Sequence, residues 1–135
     1  INLNSKILKE TKRHKTIIFY NENNLKKIKL LNRLKIKTYR IPITTDKNLD
    51  LKKSLLKAKK LGFSRIFLEA GLNLTYNFFK KNLINDFKLF VSKSRLGKNG
   101  TANAKKYLHL FLKNKKKYIE KVNLAGDTLI SYKIK

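Results

Sequence analysis

Apolar positions recur along this chain with two different periods. Thr16-Ile17-Ile18-Phe19-Tyr20 is a continuous β-rich run that stops at Asn21-Glu22-Asn23-Asn24, a cluster of turn and cap residues, and it predicts a buried strand. From Leu25 the spacing changes. Ile28, Leu31 and Leu34 recur with Lys26, Lys27, Lys29, Asn32 and Arg33 between them, which is the period of an amphipathic helix. Ile36, Thr38, Tyr39 and Ile41 then form a second strand ended by Pro42, and Leu51, Leu55, Leu56 and Leu61 trace a second helix ended by Gly62. Arg65-Ile66-Phe67-Leu68-Glu69 reads as a third strand, and Leu74 to Asn82 as a third helix. Strands alternating with helices at these spacings predict parallel β-α-β units with right-handed crossovers.

After Ile84 the pattern changes: Phe87, Leu89 and Val91 are read as alternating with polar residues, predicting a further strand before an irregular stretch from Ser92 to Asn103. Lys105 to Leu112 predicts a short helix. Tyr118 to Val122 and Leu129 to Ile134, around Ala125-Gly126-Asp127, predict a closing hairpin. The expected fold is α/β and three-layered, a mostly parallel sheet with helices on both faces and a C-terminal antiparallel hairpin. A length of 135 residues, with no internal repeat and no linker, predicts one domain spanning 1–135.

Charge changes this picture only in part. Lys and Arg number 34 against 8 Asp and Glu, a formal charge of +26 that suits nucleic acid, acidic membranes or phosphorylated ligands. Lysine predominates and Asn and Ile are abundant, as expected of an AT-biased genome, so composition alone does not name a partner. With no Cys there is no disulfide framework, thiolate zinc site or cysteine nucleophile. His14 and His109 are the only histidines, so no metal site is expected. No apolar run approaches the roughly 18 to 20 residues that span a bilayer, and no secretory signal opens the chain; a cytoplasmic protein without a membrane partner is expected.

Candidate chemistry concentrates at Ile66-Phe67-Leu68-Glu69-Ala70-Gly71-Leu72-Asn73-Leu74-Thr75, an apolar run ending in a carboxylate and a small pair before a helix. In open α/β sheets ligands gather outside the carboxyl ends of strands. Ala70 and Gly71 lack bulk, so a ligand can approach the backbone, and free N–H groups in the next helical turn favour an anion such as a pyrophosphate. Glu69 can accept hydrogen bonds from ligand hydroxyls or amines. The same residues also suit a plain strand end, with Glu69 as a cap and Gly71 as a tight turn, and spacing leaves both readings open. Lys59-Lys60, Lys113 and Lys115-Lys116-Lys117 are spread along the chain, so a solvated surface is expected rather than a nucleic-acid site. Tyr20, Tyr39, Phe63, Phe67, Phe87 and Phe90 are expected to serve the core rather than to stack on bases.

The order of segments resembles a known family. Leu55-Leu56, Gly62, Phe67-Leu68-Glu69-Ala70-Gly71, Asn82-Leu83-Ile84-Asn85-Asp86 and Ser92-Lys93-Ser94-Arg95-Leu96-Gly97 are similar, without a gap from Glu69 to Gly97, to motifs of the reductase domain of the riboflavin-biosynthesis pyrimidine deaminase/reductase family. That domain has a dihydrofolate-reductase-like fold. Leu124-Ala125-Gly126-Asp127-Thr128-Leu129 resembles its closing hairpin, and Ile1 to Tyr20 the segment after its first third. The resemblance therefore implies that the chain is the C-terminal two thirds of a reductase domain, with the rest upstream of Ile1. The zinc deaminase signatures, His-x-Glu and Pro-Cys-x-x-Cys, do not occur.

Residue by residue, the resemblance implies substrate contacts at Glu69 and near Leu3. It implies NADPH contacts at Gly71, Leu72, Asn73, Leu74 and Thr75, and at Tyr20. The implied reaction is NADPH-dependent reduction of the ribosyl group of a phosphorylated aminopyrimidine to the ribityl form, by a homodimer when full length. The departures are Asn85 for aspartate, Lys93 for proline and Ser94 for lysine. Two rival readings remain: a basic nucleic-acid-binding protein of ribosomal type, and a catalytically incomplete fragment. The reductase reading requires Glu69 and Gly71 at the carboxyl edge of a parallel strand.

Overall fold

A computed structural model of the chain describes residues 1–135 apart from positions 1, 3, 12–14, 23, 96 and 98–103. The backbone forms two compact units, Ile1–Ile66 and Phe67–Lys135.

The first unit contains helices α1 (Lys6–Lys9), α2 (Leu25–Arg33) and α3 (Leu51–Lys60) and strands β1 (Ile17–Tyr20) and β2 (Lys37–Arg40). The two strands pair in parallel, Ile17 opposite Lys37 through Tyr20 opposite Arg40, joined by the α2 crossover. Pleating puts Ile18 and Thr38 on one face. There Ile18 packs on Leu8, Leu31 and Ile36, the buried cluster of this unit, and the Thr38 hydroxyl donates to Asn32 of α2 at 3.4 Å. Phe19 and Tyr39 lie on the other face with ring centroids 6.4 Å apart, and the Lys57 ammonium of α3 sits 4.1 Å from the Tyr39 centroid. Helices α2 and α3 thus flank opposite faces of this parallel pair, as the alternation of elements predicts. Helix α1, a single turn, has no sequence period to announce it.

Local chemistry sets the helix ends. Asn24 and Asp50 cap α2 and α3 by accepting the N–H groups of Lys27 and Lys53, at 3.0 and 3.1 Å. At the other ends, Lys35 and Gly62 take left-handed backbone, φ 59° and 95°, and close Schellman motifs. In the first, the N–H groups of Lys35 and Ile36 donate to the carbonyls of Asn32 and Leu31. A left-handed L-residue costs about 1–2 kcal/mol, and the greater unfolded freedom of glycine offsets about 0.4–1 of that. Lys35→Gly is therefore expected to raise stability by about 0.5–1 kcal/mol. Urea unfolding checks it, and an unchanged or lowered midpoint would refute the strain argument.

The second unit contains α4 (Leu72–Lys80), β3 (Asp86–Val91), α5 (Lys105–Leu112), β4 (Lys116–Ile119) and β5 (Thr128–Lys133). The strands form an antiparallel sheet in the order β3-β5-β4, with Asp86 opposite Lys133 and Lys116 opposite Lys133 on the other side. The hairpin turns at Ala125 and Gly126, both with positive φ (53° and 98°), as in a type I′ turn, and the Asp127 N–H closes on the Leu124 carbonyl at 3.1 Å. Across the sheet the Ser131 hydroxyl donates to Glu120 Oε1 at 2.6 Å, and the Lys88 ammonium donates to Glu120 Oε1 at 3.0 Å and to Ser131 Oγ at 2.9 Å. The Ser131 hydrogen bond first, and then Lys88, hold the Glu120 carboxyl below its ordinary value. A carboxyl depressed in the folded state stabilises the fold above its unfolded pKa, and that contribution is lost as pH falls through the folded value. Stability of the wild type is expected to fall more steeply on acidification than that of Glu120→Gln. Parallel pH profiles of the melting midpoint would remove Glu120 from the acid response.

Four expectations need correction. The run Arg65-Ile66-Phe67-Leu68-Glu69 forms no strand. A strand exists only with a ladder partner, and none of the described residues pairs with this run, which leaves Ile66 and Phe67 50% and 77% exposed. The sheet is consequently not mostly parallel: a two-stranded parallel sheet and a three-stranded antiparallel one replace the single three-layer sheet, because the third parallel strand is missing. The helix expected from Leu74 to Asn82 runs from Leu72 to Lys80. The Thr75 N–H bonds the Gly71 carbonyl and starts it early, while Asn82, left-handed at φ 52°, is its stop signal rather than its last turn. Phe63 and Phe90, like Phe67, are exposed rather than core residues, since the layers that would cover them do not form over them. Of the irregular stretch expected from Ser92 to Asn103, positions 96 and 98–103 lie outside the described residues.

Candidate functional site

The backbone from Glu69 to Thr75 turns from extended chain into helix. Gly71 is the N-cap of α4, with φ −65° and ψ 168°. The Thr75 N–H donates to the Gly71 carbonyl at 3.2 Å and the Thr75 hydroxyl to the Ala70 carbonyl at 3.3 Å, so residues 70–75 form one braced turn. No side chain caps the helix, and the N–H groups of Leu72, Asn73 and Leu74 bond no described residue. Unpaired N–H groups at the positive end of a helix are what an anion needs.

Gly71 has a second relevant property. Its φ is open to any residue, and a Cβ built on it would meet no described residue within 4 Å. Neither backbone strain nor packing among the described residues demands a glycine there. The vacant side leaves the backbone approachable, so donor set and space both fit the phosphate portion of a dinucleotide.

Glu69 precedes this turn and is exposed. No described residue donates to its carboxylate, and Gly71 rather than Glu69 occupies the cap position. Of the two readings that spacing leaves open, the cap is therefore not used. The strand that should end at Glu69 does not form, so the carboxylate stands on irregular backbone instead of at a parallel-strand edge. Leu72, Asn73 and Leu74 are exposed and Thr75 is half-buried. Tyr20 ends β1 in the unit Ile1–Ile66, half-buried and in register with Arg40, and its carbonyl accepts the Ile41 N–H at 2.7 Å. Leu3 lies outside the described residues.

An aromatic cluster holds α4 in place. Phe79 stacks on Phe111 of α5 at 4.9 Å and meets Phe87 of β3 edge-on at 5.2 Å, while Tyr76 contacts Tyr107 and Phe111 at 5.1 and 5.6 Å. Phe78 and Phe79 are buried. Tyr76 and Phe79 in α4, three positions apart, and Tyr107 and Phe111 in α5, four apart, each share one helix face, a spacing that marks them in the sequence as supports of the turn. At the end of β3, the N–H of Lys93, one of the divergent motif positions, donates to Asp127 Oδ1 at 3.1 Å, tying the start of that loop to the hairpin turn. No helix among the described residues is long and apolar enough to cross a membrane.

The chain matches the RibD C-terminal domain over residues 1–123. No curated protein matches it. The match takes in both units up to the hairpin turn, including Glu69, the Gly71 turn and the three motif departures, Asn85 before β3 and Lys93 and Ser94 after it. The chain belongs to the RibD C-terminal domain family, whose role is that of a reductase in riboflavin biosynthesis.

Proposed function

We propose that this chain carries the reductase chemistry of its family, taking NADPH as cofactor and the ribosyl group of a phosphorylated aminopyrimidine as the group reduced. The family match over residues 1–123 carries this reading and outweighs the missing parallel strand before Glu69, on which residue spacing alone makes it depend; the uncapped helix start beside Gly71 supports it. In it, the chain is the C-terminal two thirds of a reductase domain, cytoplasmic, and a homodimer when full length.

NADPH, when bound, supplies the hydride. The N–H groups of Leu72, Asn73 and Leu74 hold a phosphate at the positive end of α4, and the missing side chain of Gly71 lets it come close. The Thr75 hydroxyl braces the turn from inside, so the donors are already oriented before a ligand arrives. Glu69 accepts hydrogen bonds from sugar hydroxyls and so orients the ring to be reduced.

Titrating NADPH into the purified full-length protein, followed by nicotinamide fluorescence and by calorimetry, tests the reading. Saturable binding is expected, with consumption of NADPH when the phosphorylated aminopyrimidine is added. A chain that is folded by circular dichroism but binds no NADPH would refute it.

A further inference from the structure

On one face of the antiparallel sheet of the second unit, Phe87 packs on Phe79 of α4. Strand pleating places Phe90 of β3 and Tyr118 of β4 on the opposite face, and they are 61% and 59% exposed. Lys88, Lys116 and Lys133 share that face by the same register. With strands about 4.8 Å apart and a rise of about 3.4 Å per residue, Phe90 and Tyr118 stand about 12 Å from each other on it.

We propose that this open face binds single-stranded nucleic acid, with bases stacking on Phe90 and Tyr118 and the phosphates meeting Lys116 directly, and Lys88 and Lys133 in exchange for their Glu120 and Asp86 partners. Flat aromatic rings on a rigid sheet, set among cations, are the general means of holding unpaired bases, since every base has a π-face and every nucleotide a charge. The sequence scatters these residues from position 88 to 133; strand order gathers them.

The charge of the unit favours a polyanion. Between Phe67 and Lys135 stand 15 Lys and Arg against four Asp and Glu. Two of those acids share the face and are engaged there, Glu120 with Lys88 at 3.0 Å and Asp86 with Lys133 at 2.9 Å. Lys116 on the face, and Lys121 and Lys135 at its margin, are exposed and have no acidic partner among the described residues. On this face a second copy would set the unpaired Lys116 and its lysine neighbours against their own counterparts, whereas a nucleic acid strand brings the complementary sign.

The test is fluorescence anisotropy with a short labelled single-stranded RNA, and a DNA of the same sequence, titrated with the full chain between about 50 and 200 mM salt. Saturable binding of either oligonucleotide, weakening as salt rises, is expected. Phe90→Ala and Tyr118→Ala should each weaken it about 5- to 100-fold with the salt slope unchanged. Phe90→Leu, which keeps apolar volume but removes the ring, should weaken it as well, and Lys116→Gln should lower the slope. Lys57→Gln, in the other unit, should change affinity less than about twofold. Absence of binding would overturn the proposal. So would aromatic variants that bind like wild type, with Lys57→Gln losing as much as Lys116→Gln, which would mean diffuse attraction. A dimer in sedimentation that Phe90→Ala dissolves would also overturn it, by assigning the face to a second copy.

Discussion

Replacing Phe79 with alanine is expected to destabilise the chain by about 3–5 kcal/mol, the largest effect of any single change considered. The ring is 7% exposed, stacks on Phe111 at 4.9 Å and meets Phe87 at 5.2 Å, so truncation removes the contact that ties α4 to both α5 and the sheet. The cavity cannot close easily, because the surrounding rings are themselves fixed by partners such as Tyr76 and Tyr132. Phe90→Ala is the control. At 61% exposure its ring contributes little to folding, and its loss should move the urea midpoint only slightly. Equal losses for the two variants would mean that the aromatic cluster is not the core of this unit.

Glu69→Gln is expected to lower catalytic efficiency about 10- to 150-fold in an active full-length protein, the equivalent of about 1.5–3 kcal/mol for a charge-assisted hydrogen bond. The exchange keeps size and removes charge. Because no described residue donates to the Glu69 carboxylate, the substitution breaks nothing within the described chain, and the melting temperature should hold. NADPH affinity should also hold, since the helix amides rather than Glu69 meet the phosphates. Unchanged efficiency in the folded variant would remove Glu69 from the site. A lowered melting temperature with unchanged activity per folded molecule would make it structural.

Much of the fold could be read from periodicity, and the misses share a cause. Strands β1 and β2 and helices α2 and α3 are legible because one face of each is apolar and their ends carry Asn24, Pro42, Asp50 or Gly62. The run from Arg65 to Glu69 is equally apolar, yet apolarity reports only that a segment could be buried. Whether a strand forms is decided by a partner elsewhere in the chain, which no local pattern records. Helix α1 escaped for the opposite reason: a single turn with one buried residue, Leu8, has no period. At the candidate site, the Gly71 turn and the helix after it are legible from small residues preceding an apolar run. Tyr20 and Leu3 rest on family resemblance alone. The bonds joining Lys88, Glu120 and Ser131 were invisible, since they depend on strand register between residues 11 to 43 apart.

The order β3-β5-β4 leaves β3 and β4 as the edges of the antiparallel sheet. An edge strand is a template for another strand, and lysines on it are a common safeguard against fibrous self-assembly. Strand β4 is guarded by Lys116 and Lys117 among its four residues, while the second half of β3, Leu89-Phe90-Val91, carries no charge. Mutual repulsion between copies of so basic a chain protects that uncharged half at low ionic strength. Salt shortens the reach of the repulsion to a few ångströms near 1 M, so concentrated salt exposes the β3 edge of this protein to edge-to-edge pairing, and low-salt storage keeps the copies apart.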